Sequence, residues 1–268
     1  MKLVRVERTD AVVRVVLDRG GMHNALVPEL LDALLATFAE LKVDATCRAV
    51  ILAADGPAFS IGGDMRRFRR ERERGDLQAY GHGLVGKLNE AILALIDLPQ
   101  PVVAAVHGIV TGGSIGLVLA ADVVLLAPQA AFKAHYATAG FGPDGGWTAL
   151  VGRLAGRRRA ASALLLNRTV RAEDAVAWGL ASEIVAADAL QMRAAEAARK
   201  IATYPRGTMH VSKQLLWGDR AQLAADLEAE RSRFVDLIAA PEALAGVGAF
   251  LRDFADYPDS QDEEEAKC

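Results

Sequence analysis

The sequence predicts an α/β protein built on a largely parallel sheet, and two observations carry that reading. Short apolar runs rich in β-branched residues, Ala49 to Ala53, Val102 to Val106 and Val123 to Leu126, read as buried strands. Longer stretches with helical spacing separate them, so each strand-to-strand step is a βαβ crossover. From Gly145 to about Leu251 the pattern becomes mainly helical.

The elements follow in order. Val4 and Val6, then Val13, Val15 and Leu17, alternate with polar neighbours on either side of Thr9-Asp10, which predicts a β-hairpin. Pro28 opens a helix, because its missing N–H costs nothing in a first turn. Leu30, Leu31, Leu34, Leu35, Phe38 and Leu41 give that helix one apolar face. Asp55-Gly56-Pro57 ends the first buried strand. A helix is expected from Leu84 to Leu98, with Pro99 and Pro101 to stop it. Gly112 to Ala120 reads as a glycine-led turn into another helix. The division expected is a core over residues 1–200, a helical region over 201–256 and an acidic tail over 257–268. The tail, with Asp259, Asp262, Glu263, Glu264 and Glu265, is expected to be solvated and disordered.

Composition narrows the function. Hydrophobic residues make up 52% of the 268 and charged residues 24%, enough for a sizeable core. The net charge of −3 argues against a nucleic-acid binder. Cys47 and Cys268 are the two cysteines, which fits a reducing compartment and gives no zinc-type spacing. No signal peptide and no transmembrane run is read, so a cytoplasmic protein is expected.

Two segments carry the chemistry. Ala58 to Asp64 and His107 to Gly116 each follow a strand and each hold a glycine pair, Gly62-Gly63 and Gly112-Gly113. Glycine lets a backbone approach a ligand closely. A helix beginning just after Gly113 would turn free N–H groups toward a ligand oxygen. Two such loops at one sheet edge can converge on a single oxyanion. Each pair also suits a plain tight turn. Neither loop has the dinucleotide Gly-x-Gly-x-x-Gly pattern or a phosphate-loop lysine.

In these residues the sequence resembles the crotonase, or enoyl-CoA hydratase/isomerase, superfamily. Phe59-Ser60-Ile61-Gly62-Gly63-Asp64 looks like its first oxyanion loop, and Pro101 to Gly108 with Thr111-Gly112-Gly113 like its second. Asn24-Ala25-Leu26, Gly140 to Gly146 and Ala175 to Ala181 match further signatures in the family's order. The resemblance implies a spiral of ββα units, an acyl-CoA thioester substrate, and a C-terminal helical region that builds homotrimers or hexamers, for which apolar residues such as Leu223, Leu227, Phe234, Leu237 and Ile238 are the expected surface. CoA arrives as part of that substrate, and no separate cofactor or metal is implied. By position, the Gly63 and Gly113 N–H groups are the oxyanion donors. Met22, His23, Ala25, Ser60, Ile61, Gly62 and Asp64 border the bound CoA ester, with Asp64 as loop support.

The sequence departs from a hydratase. Hydratases of this family activate water with two glutamates, and the matching positions here are Gly116 and Tyr136. Glycine does no acid–base work, and tyrosine, with a reference pKa of about 10, is a poor base at neutral pH. One carboxylate remains nearby, Asp144, where some isomerases of the family carry their base. Asp144 also suits a helix N-cap ahead of Gly145-Gly146. The expectation is therefore an enoyl-CoA isomerase using Gly63, Gly113, Asp144 and Tyr136. Another crotonase reaction and a silent acyl-CoA-binding subunit are the alternatives. His135 is a second candidate for the acyl pocket. His82, His107 and the arginine run from Arg66 to Arg74 read as surface or structural features, with CoA phosphates as the arginines' other possible partner.

Overall fold

A computed structural model describes residues 2–253, and the acidic tail expected over 257–268 lies outside the described residues. The strands are β1 (Val4–Thr9), β2 (Val12–Leu17), β3 (Ala49–Ala54), β4 (Val102–Val106), β5 (Ile109–Thr111), β6 (Val123–Leu126), β7 (Ala131–Lys133), β8 (Val170–Arg171) and β9 (Glu183–Ile184). The helices are α1 (Pro28–Val43), α2 (Met65–Arg74), α3 (Leu77–Ile96), α4 (Ile115–Leu119), α5 (Tyr136–Ala139) and α6 (Leu150–Ala155). They continue with α7 (Arg157–Leu165), α8 (Ala172–Ala177), α9 (Leu190–Ala202), α10 (Arg206–Trp217), α11 (Arg220–Ile238) and α12 (Pro241–Asp253).

The main sheet runs β1-β2-β3-β4-β6-β9. The expected hairpin pairs Val4 with Leu17 and Thr9 with Val12, and the sheet is parallel from β2 onward. The second sheet, β5-β7-β8, is small. Three central strands of the main sheet are each followed by a short return alongside: β3 by Ser60, which bridges Val110, then β4 by β5 and β6 by β7. A helix then leads to the next strand. That repeat is the spiral of ββα units.

Period-two alternation explains the layers. Val50, Leu52 and Ala54 of β3 face one core, and Ala49, Ile51 and Ala53 face another. The first core takes the apolar faces of α1 and α3, and the second takes Leu190, Ala194 and Ala198 of α9. Leu30, Leu31, Leu34, Phe38 and Leu41 of α1 are buried as their spacing requires, at roughly 1.5–3 kcal/mol each.

Two expectations are corrected. Helix α3 begins at Leu77, seven residues before Leu84. Gly81 and Gly83 weaken helix propensity there, but tertiary packing overrides it: a Cβ on Gly81 would lie 2.7 Å from Ile238 Cδ1, so the glycine lets α11 sit close. Beyond Gly145 the chain is mainly helical, as expected, with the two-residue strands β8 and β9 added at the edges of the two sheets. Finally, Leu223, Leu227, Phe234 and Ile238, read as apolar surface for assembly, are buried in their own chain's core, where α11 packs on α3. Leu237, the fifth residue of that expectation, is exposed.

Candidate active site

The first glycine loop is tied down on both flanks. Ser60 Oγ donates to the Asn24 carbonyl at 2.8 Å, Leu26 N–H to the Gly62 carbonyl at 2.7 Å, and Asp64 N–H to the Leu26 carbonyl at 3.1 Å. Asp64 then caps α2 by accepting from the N–H groups of Arg66 and Arg67. Its other carboxylate oxygen pairs with buried Arg19 at 3.1 Å. Asp64 thus ties the loop to α2 and to Arg19.

The second loop is stitched to the first. Thr111 N–H donates to the Ser60 carbonyl at 3.0 Å, and Thr111 Oγ1 to the Ile61 carbonyl at 2.5 Å. Ser114 Oγ donates to the Thr111 and Ser60 carbonyls. The loops meet at Gly62, whose φ of +77° favours glycine and where a Cβ would stand 2.8 Å from the Thr111 carbonyl oxygen. Trp147 Nε1 donates to the Gly112 carbonyl at 2.8 Å and holds the second loop from behind. Among the described residues, neither the Gly63 nor the Gly113 N–H donates to a backbone acceptor.

Both glycines line one small cavity of about 40 Å³. Its walls are apolar: Leu26, Met65, Leu84, Val85 and Leu88, with Phe68, Phe141 and Phe234 in mutual ring contact. Tyr136 and Asp144 are its titratable lining residues. A Cβ on Gly113 would meet Asp144 Oδ2 at 2.6 Å, so the carboxylate lies against the second loop itself.

Asp144 is buried, and Tyr136 donates to its Oδ1 at 2.5 Å and to its carbonyl at 3.0 Å. Burial drives the Asp144 pKa up to about 7; the nearby Glu230 charge adds to the rise and the Tyr136 hydrogen bond opposes it. Tyr136 is itself pushed well above its ordinary value, first by burial and then by the Asp144 charge.

Asp144 does not cap the turn that follows it. Glu230 of α11 does, accepting from the N–H groups of Gly146 at 2.7 Å, Thr148 at 2.6 Å and Ala149 at 2.9 Å, and from Thr148 Oγ1. Glu230 was not foreseen from the sequence. Gly116, at the hydratase glutamate position, has no room for any side chain: a Cβ there would lie 2.3 Å from both the Gly145 carbonyl oxygen and Ile92 Cδ1.

The other expected residues lie away from this cavity. Met22, Ala25 and Ile61 bury their side chains together with Ala58. The carbonyls of Met22, His23, Asn24 and Ala25 each already accept one hydrogen bond inside the chain, so contact with a ligand would use their second lone pairs. Ser60, Gly62 and Asp64 shape the loop from beneath. His135 is not among the lining residues, and His82 is exposed on α3. His107 Nε2 sits 2.7 Å from the Gly56 carbonyl oxygen. Of the arginine run, Arg67 and Arg74 pair with Glu71 on their own helix. Among the described residues, no group of three or more His, Cys, Asp or Glu is placed to hold a metal ion. Nor is any helix there long and apolar enough to cross a membrane.

Two stitched glycine loops, over an apolar cavity and on a ββα spiral, are the features through which the sequence resembles the crotonase superfamily. Comparison with known proteins agrees. The profile of the family described as Enoyl-CoA hydratase/isomerase matches residues 7–255. The 1,2-epoxyphenylacetyl-CoA isomerase of Escherichia coli K12 is 30% identical over 243 residues, covering 90% of this chain and 92% of that protein. The 4-chlorobenzoyl coenzyme A dehalogenase-2 of an Arthrobacter species is 29% identical over 202 residues, covering 75% and 73%. The crystal structure of enoyl-CoA hydratase from Bacillus halodurans superposes with a TM-score of 0.85 at 23% identity, covering 92% of this chain and 99% of that one, which shows the shared fold. The chain belongs to the enoyl-CoA hydratase/isomerase family and is a crotonase-type acyl-CoA enzyme.

Proposed function

We propose that this enzyme is an enoyl-CoA isomerase that moves a double bond along the acyl chain of a CoA thioester. In this reading the Gly63 and Gly113 N–H groups hold the thioester oxygen. Asp144 removes a proton from the carbon next to the carbonyl, and the electron pair spreads onto the oxygen as an enolate. Asp144 then returns the proton two carbons farther on, which leaves the double bond beside the carbonyl. No atom is gained or lost, so a single carboxylate serves both steps. Each preorganised oxyanion donor contributes about 3 kcal/mol to the barrier reduction.

The observation that carries the reading is the placement of Asp144: buried, against Gly113, with its pKa raised to about 7. A base half-ionised near neutral pH is suited to taking a proton and giving it back. The closed position at Gly116 supports isomerisation over two-glutamate hydration. Tyr136 serves as the orienting partner of Asp144. An assembly of several copies, as the family resemblance implies, would draw on apolar residues still exposed, such as Val211, Leu215 and Leu216 of α10.

A panel of 3-enoyl-CoA and 2-enoyl-CoA thioesters tests the reading. Conversion of 3-enoyl to 2-enoyl esters with little water addition to the 2-enoyl esters is expected. Efficient hydration would remove the isomerase in favour of a hydratase, and binding with no turnover of either series would leave a silent acyl-CoA-binding protein.

A further inference from the structure

We propose that Glu230 is a positioning residue: from α11 it fixes the 144–149 turn and so sets the Asp144 carboxylate and the seat of Gly113. The inference rests on the isomerase reading for the role of Asp144, and on geometry for the rest.

Glu230 is 5% exposed, and the hydrogen bonds described for its carboxylate all go to the turn, to three backbone N–H groups and the Thr148 hydroxyl. No cation pairs with it among the described residues. Its neighbours Arg231 and Arg233 pair instead with Glu228 and Asp236. Burying a carboxylate without a counter-ion is costly, and a serine or threonine caps a turn at far smaller cost. Thr148 already stands in this turn. The carboxylate therefore does more than satisfy orphan N–H groups.

Two connections show what it does. Directly beside the clamped Gly146 lies Gly145, whose φ is +62° and where a Cβ would stand 2.2 Å from the Gly113 carbonyl oxygen. The clamp thus presses the turn onto the second oxyanion loop. One residue earlier, Asp144 reaches the cavity. The groups facing Asp144 are Tyr136 from α5 and Glu230 from α11. The lining residues from α3, Leu84, Val85 and Leu88, carry no charge. The Glu230 charge opposes ionisation of Asp144, so it also tunes the base.

The test compares Glu230→Gln and Glu230→Asp with wild type. Glutamine keeps one acceptor oxygen, removes the charge and sets an amide against the Gly146 N–H. We expect kcat to fall about tenfold to a hundredfold, acyl-CoA Kd to stay within about twofold, and the acid limb of the kcat profile to move to lower pH. A merely structural Glu230 would lower thermal stability and leave that limb in place, which would overturn the proposal. Glu230→Asp keeps the charge but withdraws it by one methylene, so kcat should fall while the limb stays near wild type. If the glutamine variant does not fold, the aspartate variant decides: wild-type kcat there overturns the clamp. The carboxyl-carbon NMR resonance of Asp144, assigned by its loss in Asp144→Asn, reports the midpoint without turnover. A lower midpoint in Glu230→Gln supports the proposal even if the isomerase reading fails, and an unchanged midpoint overturns it.

Discussion

The Tyr136 hydroxyl and the Asp144 carboxylate share a hydrogen bond of 2.5 Å inside an apolar cavity. The phenol stabilises the ionised carboxylate that burial disfavours. Tyr136→Phe removes that stabilisation and leaves the cavity shape intact. The Asp144 pKa then rises further, the acid limb of the kcat profile moves to higher pH, and turnover at neutral pH falls several-fold. A pH profile of the variant checks this, and an unmoved limb would show that Tyr136 does not hold the base.

Restoring the hydratase glutamate at Gly116 is expected to damage the protein rather than change its reaction. The Cβ alone would meet a backbone carbonyl oxygen and Ile92 at 2.3 Å. Overpacking of this kind costs about 1–3 kcal/mol or more, and each kcal/mol lowers Tm by about 2–4 °C for a domain of this size. Calorimetry of Gly116→Glu should show that loss, without a gain in hydration of 2-enoyl-CoA esters.

Asp144 makes stability depend on pH in an unusual direction. Its pKa is about 7 in the folded state against 3.8 as the ordinary value. Between those values the folded protein holds a proton that the unfolded chain has released. Stability therefore falls as pH rises from about 4 to about 7, by at most about 4 kcal/mol for this group. Asp144→Asn removes the effect. Its Tm should exceed that of wild type at about pH 8 and approach it at about pH 4, as thermal melts at the two pH values would show.

Another buried charge holds α10 to the core. Lys213 Nζ, buried, donates to the carbonyls of Leu95 and Gln100 at 3.1 Å and pairs with Asp122 at 3.2 Å. Burial lowers its pKa, and Asp122 counters that. Lys213→Met leaves Asp122 without its cation and is expected to cost about 3–5 kcal/mol. Denaturant unfolding measures that cost, and a change below about 1 kcal/mol would show that the clamp is dispensable.

The sequence made the strands β3, β4 and β6 legible because buried parallel strands are continuous apolar runs. Each glycine pair alone suits a plain tight turn, and the two loops became legible only through their shared resemblance to one family, in the family's order. Asp144 stood out as the carboxylate left when Gly116 and Tyr136 were set aside. Glu230 did not, because it sits 84 residues beyond Gly146 on a helix whose charges look like an ordinary solvated face. The α11 apolar residues carried the same ambiguity. Spacing shows that Leu223, Leu227 and Phe234 are covered, but not whether the cover is α3 of the same chain or another copy. Strands β5, β8 and β9, of two or three residues each, are set by neighbours rather than by local pattern.

The central claim is that Asp144 carries the proton between carbons while the two glycine N–H groups hold the thioester oxygen. Asp144→Asn keeps the shape and can still accept from Tyr136, but it removes the base. The decisive measurement is kcat for conversion of a 3-enoyl-CoA ester, alongside calorimetric Kd for a saturated acyl-CoA, in wild type and Asp144→Asn. The account predicts a fall in kcat of at least about 10²-fold with Kd nearly unchanged. A variant that isomerises at the wild-type rate would contradict it and place the proton carrier elsewhere.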